Sequence, residues 1–267
     1  MYPKIPPPAI LYKYRTWENK FHSNILTERE LFFSMPNKLN DPFDSLLPFR
    51  FEDKVLTKEN SLKSIYFYKK LFNPRMSENE LLQASLYDLD NTDWERRWKE
   101  YLPRHRELVN LNWGVLSMAS ENHNLLMWSH YANGHQGFCI GFDTRILCQV
   151  AECAIMDMNY TNEFLLLPPY ELGKDETDQI VQLLITKSEL WRYECEYRLL
   201  KFRTPMEPYR KLIVPAEAYK ELIFGASISI ETKKVMTDIA TIKFPKMTIF
   251  QSEIDDNEFK LNFKKLN

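Results

Sequence analysis

Two acidic side chains two residues apart, Glu194 and Glu196, stand in WRYECEYRL, where side-chain character alternates strictly. A strand with that alternation puts Arg192, Glu194, Glu196 and Arg198 on one face and Tyr193, Cys195, Tyr197 and Leu199 on the other. The carboxylates then lie about 6.5–7 Å apart and point the same way. Two chemistries fit. A solvated row of Arg–Glu pairs explains the pattern and contributes little to stability. An active-site Glu-x-Glu instead sets one carboxylate against a cationic sugar transition state and the other against an acceptor.

A complementary set lies near the N-terminus. In LYKYR, Lys13 and Arg15 share one strand face, and two cations so placed can hold a pyrophosphate. Tyr12 and Tyr14 take the other face, to pack in a core or stack on a ring. In LNDPFD, Asn40 and Asp41 precede a proline and favour a turn, and Asp41 and Asp44 could also line a cleft.

Other chemistries fit less well. His123, His130 and His135 are seven and five residues apart, not the three or four that bring two rings to one helix face, so no metal is expected. Cys139 sits inside the apolar run GFCIGF, where burial raises a thiol pKa and suppresses its reactivity. Six glycines supply neither GxGxxG nor GxxxxGK, so side chains must hold the phosphates of any nucleotide. NGHQG is either a tight turn or a connection that offers its amides to a ligand.

The elements that must position these residues follow from periodicity. The 267 residues, 44% hydrophobic and 14% aromatic, suffice for one large domain over residues 10–267 behind a proline-rich, extended lead-in at 1–9. A net charge of −2 gives the whole surface no pull toward nucleic acid or acidic lipid. No apolar run approaches the roughly 20 residues of a membrane span, no signal-peptide pattern opens the chain, and the four cysteines lack CxxC spacing, which together suggest a cytoplasmic protein. Strands are expected at AILYKYR, ELFFS, WGVLSM, GFCIGFD (central), AECAIMDMNY, WRYECEYRLLKF, YRKLIVP, ELIFGASIS, KMTIFQSEI and EFKLNFKKL. Trp17, Phe21 and Ile25 recur every four residues, one stripe of a helix. HNLLMWSHYA reads as a short helix, and DETDQIVQLLITKSE and ETKKVMTDIAT as longer ones. Residues 57–110 form a charged helical insertion, with Trp94, Trp98 and Tyr101 on one stripe and Arg96, Arg97 and Lys99 largely facing away. A nucleic-acid- or protein-binding module using this insertion is the alternative to an enzyme. The whole is an α+β chain with too little regular alternation for a doubly wound sheet.

Four blocks in order, LYKYR, FFSMPNKLNDPFDS, WGVLSMASENHNLLMWSHYANGHQGFCIGFD and KSELWRYECEYRLL, resemble a bacterial family catalogued as a domain of unknown function. That family is similar, more distantly, to the ADP-ribosyltransferase superfamily. The resemblance implies a split, mostly antiparallel β-sheet that binds NAD as substrate without a metal and cleaves its nicotinamide–ribose bond. It implies Glu196 as the catalytic carboxylate and Glu194 as its acceptor-side partner. Tyr131, with Trp128 or His130, would lie beside nicotinamide, and Lys13 or Arg15 at the adenosine-phosphate side, with Tyr14, Asn40 and Asp41 as further cofactor contacts. ADP-ribose would pass to protein, nucleic acid or water. A toxin or phage-defence role and a neutralising partner are further implications, and the lack of a long apolar run leaves no membrane partner expected. Two arginines, Arg192 and Arg198, flank the glutamates and are placed to neutralise them.

Overall fold

The centre of the molecule is a strand apolar on both faces. β4 (Phe138–Asp143) pairs antiparallel with β1 (Ile10–Arg15) on one edge and with β10 (Tyr219–Phe224) on the other, as expected for a run with no solvent-facing side. The computed structural model describes residues 6–45, 58–91, 103, 106–153, 155–163, 176–204 and 206–267. In chain order its further elements are α1 (Lys20–Thr27), β2 (Glu30–Phe32), α2 (Lys58–Phe72), α3 (Glu78–Asn91) and α4 (106–112), then β3 (Trp113–Ala119), α5 (Leu125–Tyr131), α6 (Thr144–Ala151), β5 (Ile155–Asp157) and β6 (Asn159–Thr161). They continue with α7 (Glu176–Leu184), β7 (Thr186–Ser188), β8 (Glu196–Phe202), α8 (Glu207–Arg210), β9 (Lys211–Ile213), α9 (Ile230–Lys243), β11 (Thr248–Ile254) and β12 (Leu261–Lys265).

The main sheet has eight strands in the order β12-β11-β10-β4-β1-β3-β8-β5. Every pairing in it is antiparallel except β10–β11, which α9 joins as a parallel crossover. One face buries Leu11, Leu116, Met118, Phe138, Ile140, Phe142, Leu199 and Leu222 against α1, α6 and α9. The other buries Tyr14, Cys139 and Ile223 against Met127 and Trp128 of α5. Among the described residues no helix is long and apolar enough to cross a membrane.

The sheet is continuous, yet nearly opens at one seam. β1 and β3 share a single register pair, Tyr12 with Ala119. Farther along the same edge of β3, Val115 pairs with Ser34 instead, through Ser34 N–H to Val115 O at 2.8 Å and Val115 N–H to Ser34 O at 2.9 Å. Between these pairings the edge at Ser117 faces a notch, whose other side is the end of β1 carrying Lys13 and Arg15.

Several expected elements differ. WRYECEYRLLKF is not one strand: Glu189–Glu194 is a 3₁₀ turn, Cys195 is left-handed (φ 45°), and β8 starts at Glu196. Ser188 caps that turn by accepting from Leu190 N–H at 3.4 Å, a local bond that competes with strand pairing. AECAIMDMNY divides in the same way, because Ala151 ends α6, Glu152 caps it at φ 52° and two short strands follow. Phe21 is 82% exposed, so the stripe expected for α1 reduces to Ile25, which is buried, with Trp17 packed against the core from the preceding loop. In the insertion α2 and α3 are joined by the Lys69–Asp88 ion pair at 2.9 Å. Trp94, Arg96, Arg97, Trp98, Lys99, Tyr101 and Arg104 lie outside the described residues.

Candidate functional site

The notch between β1 and β3 opens into a cavity of about 500 Å³, within the usual range for small-molecule sites. Its lining draws on both faces of the sheet. His22 and Phe32 come from the side of α1 and β2, and His130 and Tyr131 from α5 on the other side. Lys13, Arg15 and Ser117 lie on the strands between, with Lys187, Glu194, Glu196, Arg198 and Asp44 at one end.

That end is a buried charge cluster. The Arg198 guanidinium is fully buried and grips two carboxylates. Its Nη1 and Nη2 donate to Asp44 Oδ1 and Oδ2 at 2.8 and 2.5 Å, and its Nε donates to Glu196 Oε1 at 2.6 Å. A further bond runs from Nη1 to Leu184 O at 2.6 Å. Such a two-pronged grip is what guanidinium geometry provides and ammonium geometry does not. Lys187 Nζ donates to Glu194 Oε2 and, at 3.0 Å, to Glu196 Oε2, and lies 3.7 Å from Asp44 Oδ2. Tyr131 Oη donates to Glu194 Oε1 at 2.5 Å, and Asn40 Nδ2 donates to Tyr131 Oη at 2.8 Å.

The two glutamates differ in kind. Burial alone would raise the pKa of Glu196, but Arg198 and Lys187 hold it well below the ordinary glutamate range, with help from the Ser117 hydroxyl. It is a fixed anion inside an ion-pair lattice. Glu194 is pushed upward, by burial and then by the neighbouring charge of Glu196, against the pull of Lys187 and Tyr131. Of the two, it is the carboxyl that holds a proton more readily. Opposite the cluster, Lys13 and Arg15 have no carboxylate partner among the described residues. Lys13 Nζ donates to Ser117 O, and Arg15 Nη1 donates to Tyr14 O at 3.2 Å. Burial, then the charge of Arg15, pushes Lys13 well below the ordinary lysine value, and burial lowers Arg15 to about 10. His22 faces the same wall, its Nδ1 buried with no partner among the described residues, and burial with Arg15 and Lys13 lowers it to about 4.

Of the sites expected from sequence, Lys13, Tyr14, Arg15, Asn40, His130, Tyr131, Glu194 and Glu196 converge on this cavity. Tyr14 borders it but is buried and donates to Glu121 O at 2.8 Å. His130 Nδ1 lies 3.0 Å from Tyr193 Oη at the mouth. Trp128 and Asp41 do not line it. Trp128 is fully buried, its ring N–H donates to Asn122 O at 2.8 Å, and its ring meets Tyr14 edge-on at 5.2 Å, so it cannot sandwich a ligand ring. Asp41 spends Oδ1 on the Phe43 amide at 2.9 Å, a turn contact. Arg192 pairs with Glu189 on the surface, because the 3₁₀ turn takes it off the face of Glu196. The row of exposed ion pairs is likewise absent: Glu194, Glu196 and Arg198 are all buried.

NGHQG serves as a corner. Asn133, Gly134 and His135 all have positive φ, and the amides of 134–137 bond to Ser129, Trp128, Asn133 and Ala132 carbonyls. None of the four is left for a ligand. Cys139 is buried and its thiol pKa is raised by burial, as expected of an apolar strand.

Lys187 was not singled out from sequence. A lone cation closing the apolar run IVQLLIT is the signal it leaves, since a lysine at the end of a buried stretch needs an acidic partner.

A protein-family model described as "Protein of unknown function (DUF2971)" matches residues 127–199. The matched stretch carries His130, Tyr131, Lys187, Glu194, Glu196 and Arg198, and leaves out Lys13, Arg15, Asn40 and Asp44. No curated protein and no solved structure matches the chain.

Proposed function

We propose that the chain is an ADP-ribosyltransferase-like enzyme that cleaves NAD at the nicotinamide–ribose bond, with Glu194 as the working carboxylate. The observation that carries this reading is the contrast across one notch. Two basic side chains without acidic partners among the described residues stand on β1, and a buried carboxyl tied to Tyr131 stands on the far wall. Lys13 and Arg15 suit a pyrophosphate. The near-opening of the sheet between β1 and β3 supports the resemblance to a split-sheet, NAD-binding fold.

In the proposed step the C1′–N1 bond breaks with its electron pair going to the pyridinium nitrogen. Nicotinamide leaves neutral, so no strong general acid is needed. The oxocarbenium left on the ribose is stabilised by the carboxylate field of Glu194. An acceptor oxygen or nitrogen, from a macromolecule or water, then bonds to C1′ while its proton passes to Glu194. Glu196, neutralised by Arg198 and Lys187, supports Glu194 rather than the substrate. A role as a toxin or phage-defence effector held in check by a neutralising partner fits such chemistry.

Steady-state NAD turnover tests the assignment. Arg15→Ala should raise KM by about tenfold with little change in kcat, as expected for loss of a charge-assisted phosphate contact. Tyr131→Phe, which removes the hydrogen bond to Glu194, should act on kcat instead. A preparation that binds NAD but releases no nicotinamide would contradict the proposal.

A further inference from the structure

The charge cluster holds three carboxylates, Asp44, Glu194 and Glu196, against two cations, Lys187 and Arg198. Arg198 commits its guanidinium to Asp44, Glu196, the Ser45 hydroxyl and the Leu184 carbonyl and makes no bond to Glu194. Lys187 is therefore the one cation of the pair that touches Glu194, and it touches the other two acids as well. It is 3% exposed and rests 5.0 Å from the centre of the Trp191 ring, at the end of the cavity. We propose that Lys187 is a positioning residue: it fixes the Glu194 carboxyl against Tyr131 at the cavity wall and sets how readily that carboxyl gives up its proton. The proposal rests on the reading of Glu194 as the working carboxylate and assigns the residue that controls it.

The surroundings of Glu194 make the control specific. β7 contributes Lys187, β8 contributes Glu196 and Arg198, and the turn after Asn40 contributes Asp44. α5 contributes Tyr131, with His130 at the mouth hydrogen-bonded to Tyr193, and Lys13 faces the cluster from β1. β6 brings Tyr160, whose hydroxyl is engaged by the Glu196 amide at 3.0 Å. Of these, Glu196 opposes ionisation of Glu194, while Lys187 and the Tyr131 hydroxyl favour it. Burial of Lys187 works against its own charge, and the surrounding acids outweigh that cost, so it stays protonated.

The experiment follows the Glu194 carboxyl by carbon-13 NMR in the whole chain, with Glu194→Gln assigning the signal, in wild type and Lys187→Gln. Removing the ammonium should raise the Glu194 midpoint by at least about one pH unit. If NAD is turned over, the rising limb of kcat should move by the same amount while KM changes little. A midpoint within about 0.3 unit of wild type in folded Lys187→Gln would overturn the proposal. Should Lys187→Gln fail to fold, stability of the Lys187→Gln/Glu194→Gln double variant decides the matter. Folding restored by the second change supports the coupling, and a double variant that still fails to fold contradicts it. The NMR and folding readouts need no turnover, so a wild type inactive on NAD would sink the enzymatic reading without deciding this one.

Discussion

At the scale of single residues, two acids from one short motif do opposite work. Glu196 is buried and accepts from both Arg198 and Lys187, so removing its charge takes one acid from two buried cations. Glu196→Gln should therefore cost about 3–5 kcal/mol, read by denaturant unfolding. The pH dependence follows from the directions of the two shifts. Glu196 has its folded pKa lowered. Its stabilisation is present above the unfolded glutamate value of about 4.3 and is lost as pH falls toward the folded value. Glu194 has its folded pKa raised. Its stabilisation is present below that unfolded value and is lost as pH rises through the folded one. Glu194→Gln should thus gain stability relative to wild type as pH rises, while Glu196→Gln loses most at neutral pH and least in acid. Lys13 adds a prediction at the opposite wall. Its lowered pKa should recover when an anion arrives, so pyrophosphate binding should take up protons. Calorimetry in buffers of different ionisation enthalpy reads this directly, and binding without proton uptake would show that Lys13 stays charged in the empty site.

At the scale of elements, the positions of the functional residues depend on how the chain leaves its strands. A Cβ added to Gly137 would meet Arg15 O at 2.2 Å and Ala132 O at 2.9 Å, both backbone atoms that cannot swing aside. Gly137→Ala should therefore cost about 1–3 kcal/mol, within the range for overpacking, and should weaken anion binding by displacing Arg15. A thermal melt with a pyrophosphate titration checks both. Local pattern located β1, β4, β10, α5 and α9, β4 by a run that is apolar on both faces rather than by alternation. It failed at 189–195. The same alternation that suggests a strand is satisfied by a 3₁₀ turn once Ser188 caps it and Cys195 adopts a left-handed backbone. The convergence of Glu194, Glu196, Tyr131, Lys13 and Arg15 was nonetheless legible, since the turn still delivers Glu194 to the same cavity. The partners of Lys187 and the bond of Asp44 to Arg198 were not, because the first lie on a separate turn and strand and the second joins residues 154 apart, which local patterns do not encode.

At the scale of the whole molecule, one sheet holds chemistry of opposite sign on the two sides of a near-opening. Had β1 and β3 paired along their full length, Ser117 would bond to backbone and no cavity would form there. The ion-pair lattice of Asp44, Lys187, Glu196 and Arg198 fastens the turn after Asn40 to β7 and β8, which keeps the far wall of the notch in place. The described residues of the helical insertion take no part in these ion pairs. The composition, with its near-balance of 35 basic and 37 acidic residues, conceals this local separation of charge.

The most direct test of the central claim is the amount of nicotinamide released from NAD by Glu194→Gln relative to wild type, measured by mass spectrometry on samples whose melting transitions match. Wild type should release nicotinamide, and the variant should do so at least about a hundredfold more slowly, the loss expected when a positioned charge at the reacting centre is removed. Equal release by the two proteins, or none by wild type, would contradict it.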